Sequence, residues 1–157
     1  MKIHDFVVGE DIRVEMGNKH SVMGIFGDYL SATVPATAGD VPISVRLAFL
    51  LRLDVGPDDP DTLHFEFKIS SQERDFARFE GATGKPRQFK GLLALPLIGN
   101  VIQVPVSAGA NEMRFRFNVR DTGGKEIFSD NLRPITLFVN KSSDGQPQAP
   151  GPTPTGQ

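Results

Sequence analysis

The chain lacks the residues on which several protein classes depend. It has 157 residues with no Cys, no Trp and 1 Tyr. Without Cys it can form neither a disulfide framework nor a zinc ribbon nor a thiol-dependent active site. The formal net charge is −2, from 17 Lys+Arg against 19 Asp+Glu, whereas dedicated nucleic-acid-binding proteins are usually strongly basic. The composition therefore excludes the first three classes and disfavours the fourth.

Long apolar runs are also missing. Near the N-terminus, residues 6–8 are the only apolar run, whereas a signal peptide needs roughly 7 to 15 apolar residues. Residues 47–53 form the longest run but contain Arg52, and a membrane span needs roughly 20 apolar residues. We therefore expect a cytoplasmic protein that does not contact a membrane. The length fits one domain with a single core.

Alternation of apolar and polar residues is the dominant pattern, and it predicts an all-β fold. In residues 113–120 every second residue is apolar, as in a strand with one face on a core and the other in water. Residues 43–53 and 63–70 repeat the pattern. Shorter predicted strands cover residues 12–16, 21–26, 29–34, 76–79, 92–97, 101–106 and 135–139. About eight to ten strands favour a two-layer antiparallel β-sandwich with Greek-key, jelly-roll or immunoglobulin-like connections over a closed barrel.

Turn residues separate the predicted strands. Gly17, Asn18 and Lys19 can close a hairpin between the first two, and residues 122–125 can close another, because Gly and Asn accept positive φ at low cost. Pro96 and Pro105 interrupt strand-like runs. Because proline cannot donate to a sheet, each indicates an edge strand or the end of a strand. The 12 Phe are the expected bulk of the core.

The composition changes abruptly near the end of the chain. Residues 142–157 hold four of the 12 prolines and no Val, Ile, Leu or Phe. Such a segment cannot bury enough apolar surface to offset its chain entropy. We expect a β-sandwich domain over residues 1–140 and a disordered tail over residues 141–157. A polyproline ligand is the alternative, but no basic residue follows Lys141, so a plain tail is favoured.

The opening residues carry a recognisable pattern. They read KIHDFVVGEDIR over 2–13, GNKHS over 17–21 and GIFGD over 24–28. This stretch resembles the start of a family of small bacterial proteins of unknown function, and a looser similarity runs through Arg46, Leu47 and the FEF segment at 65–67 to about residue 140. The resemblance implies a bacterial origin and an all-β domain. It implies no activity, cofactor or catalytic residue.

An acidic loop is the first candidate binding site. Asp54, Asp58, Asp59 and Asp61 are close in the sequence, and several carboxylates on one loop can supply the oxygen ligands that Ca²⁺ prefers. The spacing lacks the central Gly and the closing Glu of an EF-hand loop. Asp and Pro are also ordinary turn residues. Asp58, Asp59 and Asp61 are therefore candidate metal ligands, with a solvated turn as the favoured alternative.

The three histidines are the only candidates for transition-metal binding or for general base catalysis near neutral pH. His4, His20 and His64 show no His-x-His or His-Glu-x-x-His spacing. Exposed or partly packed histidines are therefore the favoured interpretation. A loop-based metal- or ligand-binding domain or enzyme, using the loop over residues 54–61 and one His, remains the alternative function.

Basic residues are concentrated in the second half of the chain. Residues 1–80 carry 8 Lys+Arg and 14 Asp+Glu, and residues 81–157 carry 9 and 5. The candidate anion-binding residues are Lys85, Arg87, Lys90, Arg114, Arg116 and Arg120. The favoured alternative is a solvated face in which Glu66, Glu112 or Glu126 forms cross-strand pairs with these arginines. Nucleic acid is disfavoured further, because Phe115 and Phe117 fall on the inward face and cannot stack on bases.

The leading functional hypothesis is a non-enzymatic binding or structural interaction module. It rests on a core pattern that looks complete, with no catalytic constellation at a recognisable spacing. Unprotected edge strands would give such a fold a route to a protein partner or to self-association by strand addition. No cofactor is expected. Binding of an anion or a nucleic acid through Arg114, Arg116 and Arg120 is a weaker alternative.

Overall fold

The computed structural model describes residues 1–16, 19–36, 42–71, 74–97 and 101–142. Within these ranges the chain forms β-strands and no helix, which confirms the all-β class. Accordingly, the described ranges hold no helix with the length and hydropathy to cross a membrane. The strands are β1 (Lys2–Gly9), β2 (Asp11–Glu15), β3 (Lys19–Met23), β4 (Tyr29–Pro35), β5 (Ile43–Arg46), β6 (Ala48–Val55), β7 (Thr62–Ser71), β8 (Arg74–Gly84), β9 (Gly91–Leu97), β10 (Val101–Val104), β11 (Gly109–Arg120) and β12 (Glu126–Ser142).

The largest sheet has five strands in the order β4-β12-β11-β7-β8. Its neighbouring strands are antiparallel except for β4 and β12, which are parallel. The alternation that predicts β11 is confirmed, because Met113, Phe115, Phe117 and Val119 are buried. Arg116, between them, is exposed on the other face. This sheet therefore has one apolar face and one polar face. We call the polar face its outer face.

A second sheet contains β1, β6 and β9 in the order β1-β6-β9. The single strand predicted over residues 43–53 is divided at the buried Leu47, because β5 pairs with β10 whereas β6 pairs with β1 and β9. Arg46 pairs with Val101 and Phe49 with Leu97, so the register changes by one residue across the division. Within the described residues, this division and the unpredicted β1 account for the two strands beyond the ten predicted.

The β2–β3 hairpin is confirmed by its antiparallel pairing, although Gly17 and Asn18 of the predicted turn lie outside the described residues. The backbone N–H of Glu10 donates to the carbonyl oxygen of Met23 at 2.9 Å, at the start of the hairpin. Ile12 of the hairpin packs in a small apolar cluster with Ala48 and Leu50 of β6. As a result β6 is buried on both faces along much of its length.

Phenylalanine side chains fill the main core, as the composition predicts. Phe6 and Phe49 come from the three-stranded sheet, and Phe67, Phe79 and Phe115 from the five-stranded sheet. The ring centroids of Phe49 and Phe67 are 4.8 Å apart, and those of Phe6 and Phe115 are 5.4 Å apart. These contacts connect the apolar faces of the two sheets.

The second predicted hairpin and the two prolines of the strand-like runs all lie within the described residues. The hairpin over residues 122–125 is confirmed, with Gly124 at φ 82° and a hydrogen bond of 3.0 Å from the Asp121 N–H to the Lys125 carbonyl oxygen. Pro96 lies on the edge strand β9, and Pro105 follows the end of β10. β12 continues to residue 142, two residues beyond the predicted domain end. The rest of the predicted tail, over 143–157, lies outside the described residues.

Candidate functional site

The carboxylates of the acidic loop interact with different groups. Asp59 accepts a hydrogen bond of 2.7 Å from the backbone N–H of Gly56. Asp61 lies 3.3 Å from the ammonium nitrogen of Lys85, and Asp58 is exposed. Within the described ranges, no three His, Asp or Glu side chains are placed together to hold a metal ion. The calcium hypothesis for Asp58, Asp59 and Asp61 stays a prediction.

The histidines lie on separate strands. His4 is on β1, His20 on β3 and His64 on β7. The β2–β3 register places His20 opposite Val14 rather than opposite His4. Asp54, at the start of the acidic loop, lies 3.7 Å from the ammonium nitrogen of Lys2.

The six basic residues that the sequence singles out fall into three places. The side chain of Lys85 is fully buried against Asp61, so its charge is used inside the fold. Arg87 and Lys90 are exposed on the connection between β8 and β9. The remaining three, Arg114, Arg116 and Arg120, lie on β11 in the middle of the five-stranded sheet.

Like charges stand opposite one another on the outer face of the five-stranded sheet. Arg78, Lys68 and Arg116 are register partners across β8, β7 and β11, and we call them the cation row. The adjacent row, Glu80, Glu66 and Asn118, has two carboxylates and then an amide, and we call it the acid row. Like charges directly opposite each other destabilise a sheet unless neighbouring groups compensate them.

Glu66 compensates two members of the cation row. Its carboxylate lies 3.2 Å from the ammonium of Lys68 and 2.5 Å from the guanidinium of Arg78, and it accepts a hydrogen bond of 3.1 Å from the amide of Asn118. Burial alone would raise the pKa of Glu66. The hydrogen bonds from Lys68 and Asn118, with the charges of Lys68 and Arg78, outweigh burial and hold this pKa below its ordinary value.

Arg116 is held by neutral groups. Its Nε donates to the amide oxygen of Asn118 at 3.2 Å, and its Nη2 donates to the hydroxyl of Ser129 at 3.3 Å. The Ser129 hydroxyl in turn donates to the same amide oxygen at 2.7 Å. Among the described residues no carboxylate lies within ion-pairing distance of Arg116. The guanidinium is therefore oriented by its neighbours while its charge is not neutralised by them.

A β-bulge opens a pocket beside the cation row. Met113 pairs with Ile135 and Phe115 with Leu132, so β12 has one more residue than β11 between these pairs. Pro134 is one of the two β12 residues between these pairs, and it has no N–H to donate. Bulges bend a strand, change the direction of its side chains and occur often beside functional sites.

The pocket at this bulge has a volume of about 510 Å³. We call it the bulge pocket, and its lining includes Lys68, Ser70, Arg114, Arg116, Asn131 and Pro134. Two carboxylates, of Asp75 and Glu112, also line it. Asp75 lies 3.9 Å from the ammonium of Lys68, and Glu112 forms an ion pair with Arg114. The predicted pairing of Glu112 with an arginine is therefore found, but within one strand rather than between strands.

A second, smaller pocket of about 380 Å³ lies at the other end of the outer face. Its lining includes His64, Glu66, Glu80 and Arg120. Both carboxylates are ion-paired with Arg78, and no hydrogen bond joins either one to His64 in the described part of the chain. Both carboxylates of this pocket are therefore engaged by Arg78, and neither orients His64 as a general base.

The edge strand β4 differs from the opposite edge of the same sheet. It reads YLSATVP over Tyr29–Pro35 and carries no charged residue. At the other edge, β8 carries Arg74, Asp75, Arg78 and Glu80. Charged side chains on an edge strand oppose the addition of another strand. β4 is therefore the less protected of the two edges.

A crevice runs beside β4. It has a volume of about 430 Å³, and we call it the β4 crevice. Its apolar lining comes from Phe26, Leu30, Ala32, Ile43, Val45 and Leu137. Glu10 and Arg46 contribute the charged part of the lining. On the outer face next to β4, the rings of Tyr29 and Phe138 form an edge-on pair with centroids 6.0 Å apart.

Comparison with known proteins gives no family assignment: neither a family model nor a curated protein matches the chain.

Several residues of these surfaces are missed by sequence reasoning. Lys68, Asn118 and Asn131 belong to no recognised motif, and their importance comes from register between strands that are distant in the sequence. A usable signal existed for the bulge, because Pro134 directly precedes the strand predicted over residues 135–139 and proline indicates an interrupted ladder. The unprotected edge at β4 is also readable from the absence of charge over residues 29–35.

Proposed function

We propose that the protein is a two-layer β-sandwich and a non-enzymatic binding module. The phenylalanine contacts between the five-stranded and three-stranded sheets support the two layers. Greek-key, jelly-roll or immunoglobulin-like connections and a cytoplasmic location stay predictions from the sequence. The partner we propose is an extended, apolar segment of another protein, bound along β4. The observation that carries this proposal is a charge-free edge strand next to an apolar crevice.

Strand addition would use both features together. Backbone groups on the free side of β4 would pair with the incoming segment and supply affinity. Successive side chains of a strand point to opposite faces, so every second side chain of the segment would enter the β4 crevice beside Leu30 and Ala32. Those side chains should be apolar, because most of the crevice lining is apolar. Arg46 is 3.5 Å from Asp11, so its charge is already compensated.

The outer face provides a second contact. Tyr29 is 64% exposed and Phe138 43% exposed, and their rings form an edge-on pair. Aromatic side chains are enriched in the central parts of protein interfaces. The side chains of the segment that point away from the crevice would lie beside this pair. The segment would therefore be held on both faces at the edge of the sheet.

The test uses a displayed library of random 12-residue peptides selected on the whole protein. We expect enrichment of peptides with apolar residues at alternate positions, and protection of the backbone amides of residues 29–35 from hydrogen exchange when such a peptide is bound. Thr33→Lys places a charge on the exposed face of β4 and should weaken binding by roughly tenfold or more.

The matched control is Ala82→Lys, which places the same charge on the exposed edge strand β8 and should leave peptide affinity unchanged. Equal loss in both variants, or enriched peptides without alternation, would contradict the proposal. The alternative occupant of this edge is a second copy of the chain, and sedimentation velocity of the wild-type protein tests for it. A dimer that Thr33→Lys abolishes would assign the edge to that second copy instead.

A further inference from the structure

We propose that the bulge pocket binds the phosphate group of a small molecule, with Arg116 as its principal contact. The proposal is independent of strand addition at β4, because the pocket lies on the outer face at the bulge between β11 and β12. It rests on one mismatch between the two charged rows and on the groups that surround it.

The mismatch lies at the third position of the rows. Two cations of the cation row, Arg78 and Lys68, share the carboxylate of Glu66. The third cation, Arg116, contacts the amide of Asn118 where the pattern would need another carboxylate. A carboxylate at position 118 would face the carboxylate of Glu66 and could not donate the hydrogen bond that Asn118 gives it, so the amide is the group that can contact both Glu66 and Arg116. The amide fixes the orientation of Arg116 without adding a carboxylate that would pair with its charge.

Asn118 can do this because both ends of its amide are engaged. Its Nδ2 donates to Glu66, and its Oδ1 accepts from Arg116 and Ser129. Asn118 is 4% exposed, so the amide is buried below the guanidinium. A positioned arginine loses less side-chain entropy on binding an anion than a mobile one, and its planar N–H groups match oxyanion geometry.

Other donors line the same pocket. Lys68 adds an ammonium, Ser70 a hydroxyl, Asn131 an amide and Arg114 a second guanidinium. A phosphate monoester carries about 1.5 to 2 negative charges and three acceptor oxygens at neutral pH, so it can use several of these donors at once. The volume of about 510 Å³ leaves room for an organic part beyond the phosphate.

Three carboxylates face this site and limit its affinity. Asp75 and Glu112 line the pocket, and Glu66 contacts Lys68 at its margin. Each of the three lies against a cation: Lys68 for Asp75 and Glu66, and Arg114 for Glu112. Arg116 is thus the cation of this lining that contacts no carboxylate among the described residues. We assign the phosphate to its side of the pocket.

The experiment is a titration of the ¹⁵N-labelled protein, followed by backbone amide shifts, at constant ionic strength maintained with sodium chloride. Inorganic phosphate, O-phosphoserine and acetate are the probes. We expect saturable shifts at residues 68–70, 116 and 131 with both phosphate probes. Tighter binding of O-phosphoserine would indicate a phosphate carried by an organic molecule, and equal binding would indicate that the phosphate alone is recognised. Either result supports the site.

Arg116→Gln should weaken phosphate binding by about tenfold, the size expected for loss of a hydrogen bond between charged groups. Arg114→Gln is a second variant in the same pocket and should also weaken binding. Both side chains are exposed, and the amide spectrum of each variant verifies the fold. Arg87→Gln is the matched control, and it should bind like the wild type.

Two results would overturn the proposal. One is a shift pattern that acetate or added chloride reproduces at the same concentrations, which would mean nonspecific screening. The other is phosphate affinity that Arg116→Gln and Arg87→Gln change equally, which would place any bound anion elsewhere.

Discussion

The amide of Asn118 donates a hydrogen bond of 3.1 Å to the carboxylate of Glu66 across β7 and β11. Both residues lie on the polar face of the sheet, yet they are only 4% and 5% exposed. They are shielded by the longer side chains of Lys68, Arg78 and Arg116, whose charged groups they hold. The polar face is therefore organised from a buried centre rather than from scattered surface pairs.

Asn118→Leu should destabilise the protein although the replacement is apolar and similar in size. It removes one donor from the buried Glu66 and the acceptor that holds Arg116, and a buried group without its partner costs about 1 to 3 kcal/mol. Urea unfolding measures the change. Asn131→Leu, on the same face but exposed, is the control and should change the unfolding free energy by less than about 0.5 kcal/mol. Equal effects would show that Asn118 has no special structural role.

Glu66 should contribute stability that depends on pH. Its folded-state pKa is lowered from the ordinary value of 4.5, so its stabilising effect is present above that value and is lost as the pH falls through the lowered pKa. At pH 7 Glu66→Gln should therefore be less stable than the wild type, since Lys68 and Arg78 lose their shared carboxylate. The difference should shrink as the pH falls below about 4.5.

The control for that measurement is Glu80→Gln. Glu80 belongs to the same acid row, but its side chain is 59% exposed. Exposed ion pairs contribute little to stability, so Glu80→Gln should follow the wild-type pH profile. A difference between wild type and Glu66→Gln that stays constant from pH 7 to pH 3 would contradict the assigned pKa direction.

The all-β class, most strand positions and the phenylalanine core could be predicted because each depends on short-range alternation. Residues 113–120 show this well: their period of two fixes which side chains meet the core, whatever strands lie beside them. The division at Leu47 could not be predicted, because residues on both sides keep the same alternation. Only the pairing of β5 with β10 and of β6 with β1 and β9 separates them.

The candidate sites were harder to predict because they depend on register between distant strands. Nothing near Lys68 in the sequence indicates that Arg78 and Arg116 stand on either side of it. Lys85 shows the opposite difficulty: it lies in a basic sequence with Arg87 and Lys90, but packing separates it from them by burying its side chain. Local charge patterns identified the residue types correctly without identifying which of them share a surface.

Lys85→Ala tests the structural role of that buried side chain. The fully buried stem packs inside the fold and its ammonium lies 3.3 Å from Asp61, so truncation removes both packing and an ion pair. We expect a loss of about 1 to 3 kcal/mol in unfolding free energy, measured by urea denaturation. Lys90→Ala, five residues after Lys85 and exposed, is the control and should cost less than about 0.5 kcal/mol. Similar small costs for both would indicate that Lys85 is exposed in solution.

Phe49 is the residue on which the contact between the two sheets depends most. It is fully buried, and its ring meets those of Phe6, Phe67, Phe79 and Phe115 at centroid distances of 4.8 to 6.2 Å. Phe49→Ala should lower the unfolding free energy by about 3 to 5 kcal/mol, because it removes buried apolar surface and leaves a cavity.

The control for Phe49→Ala is Phe138→Ala, since that ring lies on β12, next to the edge strand β4, and is 43% exposed. Its loss should cost less than about 1.5 kcal/mol, the part that edge-on contact with Tyr29 contributes. If Phe49→Ala also weakens protection of the amides in β7 and β11 while Phe138→Ala leaves them protected, the two sheets unfold as one cooperative unit. Protection that persists in β7 and β11 after Phe49→Ala would instead show that the five-stranded sheet is stable without its partner sheet.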